Sequence, residues 1–378
     1  MDLGGRAVRG RRPAAALRHA LRAPMRVLVE ALAAEFGGIR TYVDALVEAW
    51  PHACPEDEVH LLVREEHPGL PGPTLPGVTL HRVPVPGPAV VGRAWVQTRE
   101  VSRLARTVDA DVVLATLPAT TLRHPGLPLA VVVHDLRHEL RPGQFSRIRR
   151  WQRSAAYGRS YRLADGFCAV SQRTLDDLHT LHPATRGKPS VVAHHGSDHV
   201  DSWQAGDRPG GHAVAFAHQP NKNLDLVLDG WTALGADAPR LVVTGVGADR
   251  DAVATGITER GLSTVELAPY LPEPDFQALL ASAGLVVFPS DFEGFGLPVV
   301  EAMRLGIPVV IGPEPATREA AGGHAFELAG FTPGALATAV RAALAVSPAQ
   351  RQAARTHAAT FTWRRTVSQT RSLLASLL

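Results

Sequence analysis

Short apolar runs alternate along the chain with longer amphipathic stretches. The first run is Arg26-Val27-Leu28-Val29-Glu30, and others follow at 59–63, 78–83, 112–115, 130–134, 167–170 and 190–194. Each is brief, rich in Val, Leu and Ala, and apolar on both faces, as a strand inside a parallel sheet must be. Helical periodicity predicts helices from the Gly37-Gly38 turn through Trp50, over 91–108, over an Arg-rich stretch at 146–162, and over 172–181. From Trp203 to Gly211 the chain turns to Gly, Asp and Pro, which predicts a linker. The alternation then restarts. Strands are predicted at 213–217, 241–244, 264–267, 285–288 and 308–311, with helices at 224–234, 249–260, 275–282, after Pro298, at 333–345 and over 350–378. The expected fold is α/β with two facing Rossmann-like domains and a cleft at the C-terminal ends of the strands. The expected segments are a disordered basic lead over 1–24, a first domain over 25–205, a second over 212–350, and a C-terminal helix over 351–378 packing back on the first domain. Met25, just before the first strand, is the expected functional start.

One stretch stands out. Residues 289–303 read PSDFEGFGLPVVEAM and follow an apolar run at 284–288. Pro298 suits the first turn of a helix, because its φ is fixed and its missing N–H is not needed there. Gly306 suits its end. The pattern predicts a strand, a glycine-rich loop and a helix N-terminus with free amides, which is equipment for an anion. Glu293 in the loop and Glu301 in the helix would repel that anion if they faced it, and suit sugar hydroxyls around it.

The chain has 378 residues, 45% apolar and 20% charged, with a net charge of +3. Residues 1–24 hold six Arg and one Asp, so that excess is local and no broad basic surface for nucleic acid is expected. The lead has no apolar core for a secretory signal, no apolar run is long enough to cross a bilayer, and a peripheral membrane contact is one use for its charge. Cys54 and Cys168 make no disulfide framework, so a reducing, cytoplasmic setting is expected. Of 39 basic side chains only Lys188 and Lys222 are lysines, which marks them as places where a compact ammonium is useful.

The sequence 293–301, EGFGLPVVE, resembles the E-x7-E signature of the family-4 retaining glycosyltransferases, whose fold is GT-B. Further elements follow in the family's order: Phe36-Gly37-Gly38, Val133-His134-Asp135-Leu136, Ala169-Val170-Ser171-Gln172, Asn221-Lys222-Asn223-Leu224, and Glu314-Pro315-Ala316 through Glu319. The resemblance spans about residues 25–345. It implies that Glu293 and the amides at Phe295, Gly296 and Leu297 meet the donor sugar and phosphate, and that Glu301 accepts from ribose hydroxyls. It implies that Lys222 binds the donor diphosphate, that Asn221 helps, and that His134 lies near the anomeric carbon. Gly37 and Gly38 give close backbone approach, and Asp135 and His138 face the acceptor. The family's Arg just before this lysine, or several residues earlier, is replaced here by Asn221 and Phe216, leaving His218, Gln219, Asn221 or a distant Arg to substitute.

Two metal-like patterns are weaker. Asp109-Ala110-Asp111 reads as a turn entering a strand, and His194, His195, Asp198 and His199 as a loop near the linker. No metal or cofactor is expected. The expected function is transfer of a sugar from a nucleotide-diphosphate sugar to a hydroxyl acceptor with retention. The alternatives are a sugar-nucleotide epimerase or phosphorylase on the same fold, or a non-catalytic nucleotide-sugar-binding partner subunit.

Overall fold

The computed structural model describes residues 23–34, 37–70, 75–85, 89–204 and 211–378. Residues 1–22 of the basic lead, Phe36 and most of the expected linker (205–210) lie outside the described residues. The first part of the chain carries β1 (Arg26–Glu30), α1 (Gly37–Ala53), β2 (Glu58–Arg64), β3 (Val78–Val83), α2 (Ala89–Thr107), β4 (Val112–Ala115), β5 (Leu129–Val133), α3 (Arg137–Leu140), α4 (Arg147–Leu163), β6 (Gly166–Ala169), α5 (Gln172–Leu181) and β7 (Ser190–Val192). The second carries β8 (Ala213–Phe216), α6 (Leu224–Leu234), β9 (Leu241–Thr244), α7 (Arg250–Glu259), β10 (Val265–Leu267), α8 (Glu273–Ala281), β11 (Leu285–Phe288), α9 (Leu297–Arg304), β12 (Val309–Ile311), α10 (Pro315–Ala321), β13 (Phe326–Glu327) and α11 (Pro333–Leu344). Two helices, α12 (Pro348–Ala358) and α13 (Trp363–Leu377), close the chain.

These strands form a seven-stranded sheet, β3-β2-β1-β4-β5-β6-β7, and a six-stranded sheet, β10-β9-β8-β11-β12-β13. Every pairing is parallel. β4, β5, β6, β8, β9 and β11 are buried along their whole length, which explains their unbroken apolar character. The two sheets wind alike. In each, the strand order reverses beside the first strand, between β1 and β4 and between β8 and β11. Such switch points leave a crevice beyond the strand ends, and the loops after β1, β5, β8 and β11 carry most of the motif residues.

The chain end differs from expectation. The expected helix over 350–378 is two helices, because Phe361 turns its ring into the core and Thr362 starts afresh by capping the amide of Arg365. After this break α13 crosses to the first sheet and packs on α1, β6 and β7. Its Arg371 reaches Asp57 through Nε at 2.7 Å and Nη2 at 2.9 Å. The same carboxylate accepts from the Trp50 indole and the Met25 amide at 3.1 Å each. The strand expected at 190–194 ends at Val192, and α3, α10 and β13 add short elements where only turns or loops were expected.

Candidate active site

Two loops of the second sheet are stitched together at its switch point. The loop after β8 ends at Asn223, whose left-handed backbone (φ 52°) lets its side-chain amide reach the Pro289 carbonyl at 2.9 Å. Asn221 donates to the Phe292 carbonyl at 2.8 Å and to Glu293 Oε1 at 3.1 Å. Glu293 Oε1 also accepts from the ammonium of Lys222. Lys222 is buried, with its Nζ 4.3 Å from the centre of the Phe288 ring. A buried cation is thus held between an aromatic face and one carboxylate. Beyond Glu293, Gly296 adopts φ 98° and Pro298 occupies the first turn of α9.

This loop is pressed against the first sheet. A Cβ placed on Gly294 would lie 1.8 Å from the carbonyl oxygen of His134. The Gly294 carbonyl accepts from the hydroxyls of Ser171 at 2.5 Å and Thr174 at 3.1 Å. A Cβ placed on Gly38, at the start of α1, would lie 3.9 Å from the side chain of Leu297. The Nε2–H of His134 donates to the Thr116 carbonyl at 3.0 Å, and burial pushes its pKa down, so the ring is neutral. His134, Glu293, Lys222, Asn221, Gly38, Gly296 and Leu297 therefore converge on one interface.

Glu301 is also buried, in the second turn of α9. His199 Nε2 lies 3.0 Å from its Oε1, and the indole of Trp363 lies 3.0 Å from His199 Nδ1. An indole only donates, so Nδ1 accepts and Nε2 carries the proton given to Glu301. The histidine loop set aside in the sequence as ordinary thus contacts a predicted site residue, and no spacing in the sequence signalled it. His194 pairs with Glu319 at 2.6 Å, and Asp198 accepts the Trp363 amide at 2.8 Å. His195 is buried among Tyr42, His134, Phe295 and Trp363 with neither ring nitrogen hydrogen-bonded. Among the described residues no cluster of His, Cys, Asp or Glu is arranged to hold a metal ion. Asp109 pairs with Arg26 at 3.0 Å, and Asp111 accepts the Arg26 amide at 2.7 Å.

Four more predicted residues have placements that bear on their roles. The ring of Phe295 is buried against His194, His195 and Phe361, so only its backbone is available to a ligand. His138 is fully buried with its ring edge-on to Tyr157, and as placed it offers nothing to the cleft. Gly37 has a left-handed φ of 63°, and a Cβ placed on it would meet nothing within 4 Å. Asp135 sits in the loop just after β5, where its carboxylate accepts the Arg137 amide at 2.9 Å.

Arginines that no motif named also cross the interface, and so do the motif residues Glu314 and Glu319. Arg137 donates to the Asn221 side-chain oxygen, Arg141 to the Asp291 carbonyl at 3.2 Å, and Arg173 to the Glu293 carbonyl at 2.9 Å and to the Glu314 carboxylate. Glu319 accepts the first two amides of α5 at 2.7 and 3.2 Å. Burial works to raise Glu319, but its bonds to His194 and these amides outweigh it and hold the carboxyl below its usual range. Burial raises the Glu314 carboxyl, although Arg173 and the Thr317 amide oppose it. His218 is lowered to about 4 by loss of solvent and then by the cations of Lys222 and Arg137.

The arrangement has relatives. Residues 36–216 match the family model described as Glycosyltransferase Family 4, and residues 211–345 match the one described as Glycosyl transferases group 1. The O-antigen chain mannosyltransferase B of Escherichia coli is 35% identical over 97 residues, covering 24% of this chain and 26% of that protein. A D-inositol 3-phosphate glycosyltransferase of Catenulispora acidiphila is 29% identical over 379 positions, covering 88% of this chain and 89% of that protein. The chain spans between 26% and 51% of the length of four other curated relatives, the Escherichia coli protein among them. Among solved structures, that of Anabaena HepE in complex with UDP-glucose superposes with a TM-score of 0.65 at 17% identity, over 92% of this chain and 98% of that one. Two parallel sheets facing across one cleft and two adjoining family models carry one conclusion: the chain belongs to the group 1 and family 4 glycosyltransferases, with the GT-B fold.

Proposed function

We propose that this protein transfers a sugar, with retention and without a metal, from a nucleotide-diphosphate sugar to a hydroxyl acceptor. The donor sits mainly on the second domain (212–350) and the acceptor on the first (25–205); of the closing helices, α12 packs on the second domain and α13 on the first. One observation supports this reading: Lys222 and Glu293 pair across the loops after β8 and β11, Glu301 follows in α9, and Gly294 beside Glu293 lies against the His134 carbonyl. As the bond from the anomeric carbon to the donor phosphate breaks, negative charge grows on the phosphate. Lys222 and the free amides at the start of α9 stabilise that charge where water is excluded. Glu293 leaves Lys222 to accept sugar hydroxyls, and the second oxygen of Glu301 accepts from a ribose diol. The neutral His134 stands beside the anomeric carbon, and the leaving phosphate takes the acceptor's proton.

A cavity of about 310 Å³ lined by Ala31, Arg40, Arg64, Glu66 and His67 lies beside the loop after β1, on the side assigned to the acceptor. HepE was solved with UDP-glucose, so a uridine diphosphate sugar is the first donor to test. The test is a thermal-shift panel of uridine, guanosine, adenosine and thymidine diphosphates and their sugars. One should raise the melting temperature, and Glu301→Ala or Lys222→Ala should remove the shift. Donor hydrolysis or epimerisation without any acceptor would transfer the assignment to the epimerase or phosphorylase alternative.

A peripheral membrane contact belongs to the same proposal. No helix among the described residues is long and apolar enough to cross a membrane. On α4, Ile148 and Trp151 are each 72% exposed among Arg147, Arg149, Arg150 and Arg153, and the helix contains no acid. That combination suits an anionic lipid surface. Sedimentation with phosphatidylglycerol vesicles, compared with phosphatidylcholine, should be lost in a Trp151→Ser, Ile148→Ser variant.

A further inference from the structure

Lys222 is a single ammonium, whereas a departing diphosphate carries charge on two phosphoryl groups. The positions that carry an arginine in the family hold Asn221 and Phe216, and neither is a cation. We propose that Arg137 supplies the second cation, reaching across the cleft from the first domain to grip the donor diphosphate. This rests on the donor-site reading above.

Four observations support it. Arg137 Nη1 donates to Asn221 Oδ1, while the Nδ2 of the same amide donates to Glu293 Oε1, the oxygen that also holds Lys222. One asparagine therefore separates the guanidinium from the ammonium. The Nε of Arg137 is buried and has no hydrogen-bond partner. A buried unpaired donor is costly, and on a guanidinium it is half of a fork that fits two phosphate oxygens. The side chain is held ready, because Asp135 caps its own amide at 2.9 Å and the Phe145 ring lies 5.3 Å from its Cζ. Finally, His218 lies near both cations: loss of solvent lowers it most, and Lys222 and Arg137 lower it further.

The chemistry balances without an added component. As the bond from the anomeric carbon to the phosphate oxygen breaks, its electron pair stays on that oxygen. The acceptor oxygen bonds to the carbon, and its proton leaves with the phosphate. Arg137 and Lys222 stabilise the resulting charge from opposite domains, so the diphosphate itself draws the domains together.

The test uses the full-length protein and titration calorimetry. The ligands are the nucleoside diphosphate that stabilises the wild type, its monophosphate and its nucleoside. Arg137→Met should weaken the diphosphate at least tenfold and the monophosphate less than threefold, and Arg137→Lys should recover part of the loss. Arg141→Met, which also removes a cross-cleft arginine, should leave diphosphate affinity within twofold. Equal diphosphate affinity in Arg137→Met and wild type overturns the assignment while Lys222→Ala still loses binding. An equal loss in Arg141→Met overturns it too, by pointing to interdomain packing. Binding of no diphosphate by the wild type overturns the donor-site reading, and this assignment with it. Circular dichroism melting of each variant without ligand separates loss of a contact from loss of fold.

Discussion

The carboxylate of Glu301 is held by Nε2 of His199 at 3.0 Å, and His199 is in turn fixed by the indole of Trp363. Trp363 at the start of α13 thereby orients Glu301 through His199. If Glu301 binds ribose, His199 is a positioning residue and its loss should affect binding of the donor more than the chemical step. His199→Ala should raise the donor Kd about tenfold, as losing a hydrogen bond to a charged group does, and leave kcat within about twofold. Trp363→Phe should act the same way more weakly, because it frees the ring without removing its bond. Unchanged donor affinity in His199→Ala would rule out the relay.

Lys222 has the opposite expectation. Its charge matters most once the phosphate is leaving, so Lys222→Met should lower kcat by about 10²–10³-fold, the usual cost of one transition-state charge contact. The donor Kd should rise by a smaller factor. A variant whose kcat stays within threefold of wild type, assayed at saturating donor, would remove Lys222 from the chemical step.

Gly294 is a test of the interface that needs no knowledge of the acceptor. A methyl group there would enter the His134 carbonyl, at 1.8 Å. Gly294→Ala must push the loop off the first sheet, along with the hydroxyl bonds from Ser171 and Thr174. A displacement of about 1 Å can cost about 100-fold in rate, and that loss in kcat/KM is expected together with a larger radius of gyration in solution scattering. The melting temperature should change little, since both sheets stay intact. Full activity in Gly294→Ala would show that this contact is not used in turnover.

Most of the second sheet was legible because its signals are local. α6 and β9 begin and end where apolar periodicity starts and stops, and the glycine-rich turn between β11 and α9 follows from Gly296 and Pro298. The cross-cleft arginines were not legible, since Arg137 and Arg173 sit in ordinary polar surroundings and gain partners only when the sheets face each other. His199 lies 102 positions from Glu301, and Trp363 a further 62 beyond that, so no pattern along the chain connects them. His138 fails for the converse reason. It follows a motif residue closely, but α3 turns it inward against Tyr157.

The Arg371–Asp57 pair locks α13 to the first sheet, and both side chains are buried. Removing one partner leaves a buried charge that also serves Trp50 and the Met25 amide. Arg371→Met should therefore cost about 3–5 kcal/mol of unfolding free energy, read as a lower urea midpoint. Replacing Asp57 with Leu in the same chain should recover part of it, because no unpaired charge then remains. If Arg371→Met unfolds at the wild-type midpoint, α13 is held by its apolar face alone.

Acid should weaken the fold through its buried histidines. Burial, and then the neighbouring His134, His194 and His199, hold the pKa of His195 well below the ordinary 6.5, and burial lowers His134 and His138 as well. These rings are neutral in the fold, whereas in the unfolded chain each takes a proton near pH 6.5. The unfolded state therefore binds more protons below that pH. The stability carried by neutral His195 is fully present above pH 6.5 and falls as pH drops, by up to about 1.4 kcal/mol per pH unit, until its own low pKa is reached. Urea unfolding between pH 7.5 and 5 should show this slope. His195→Phe suits the aromatic surroundings of Tyr42, Phe295 and Trp363, and should flatten the slope by about one proton. Parallel pH profiles for the variant and the wild type would mean that His195 is protonated in the fold and that its ring has a partner after all.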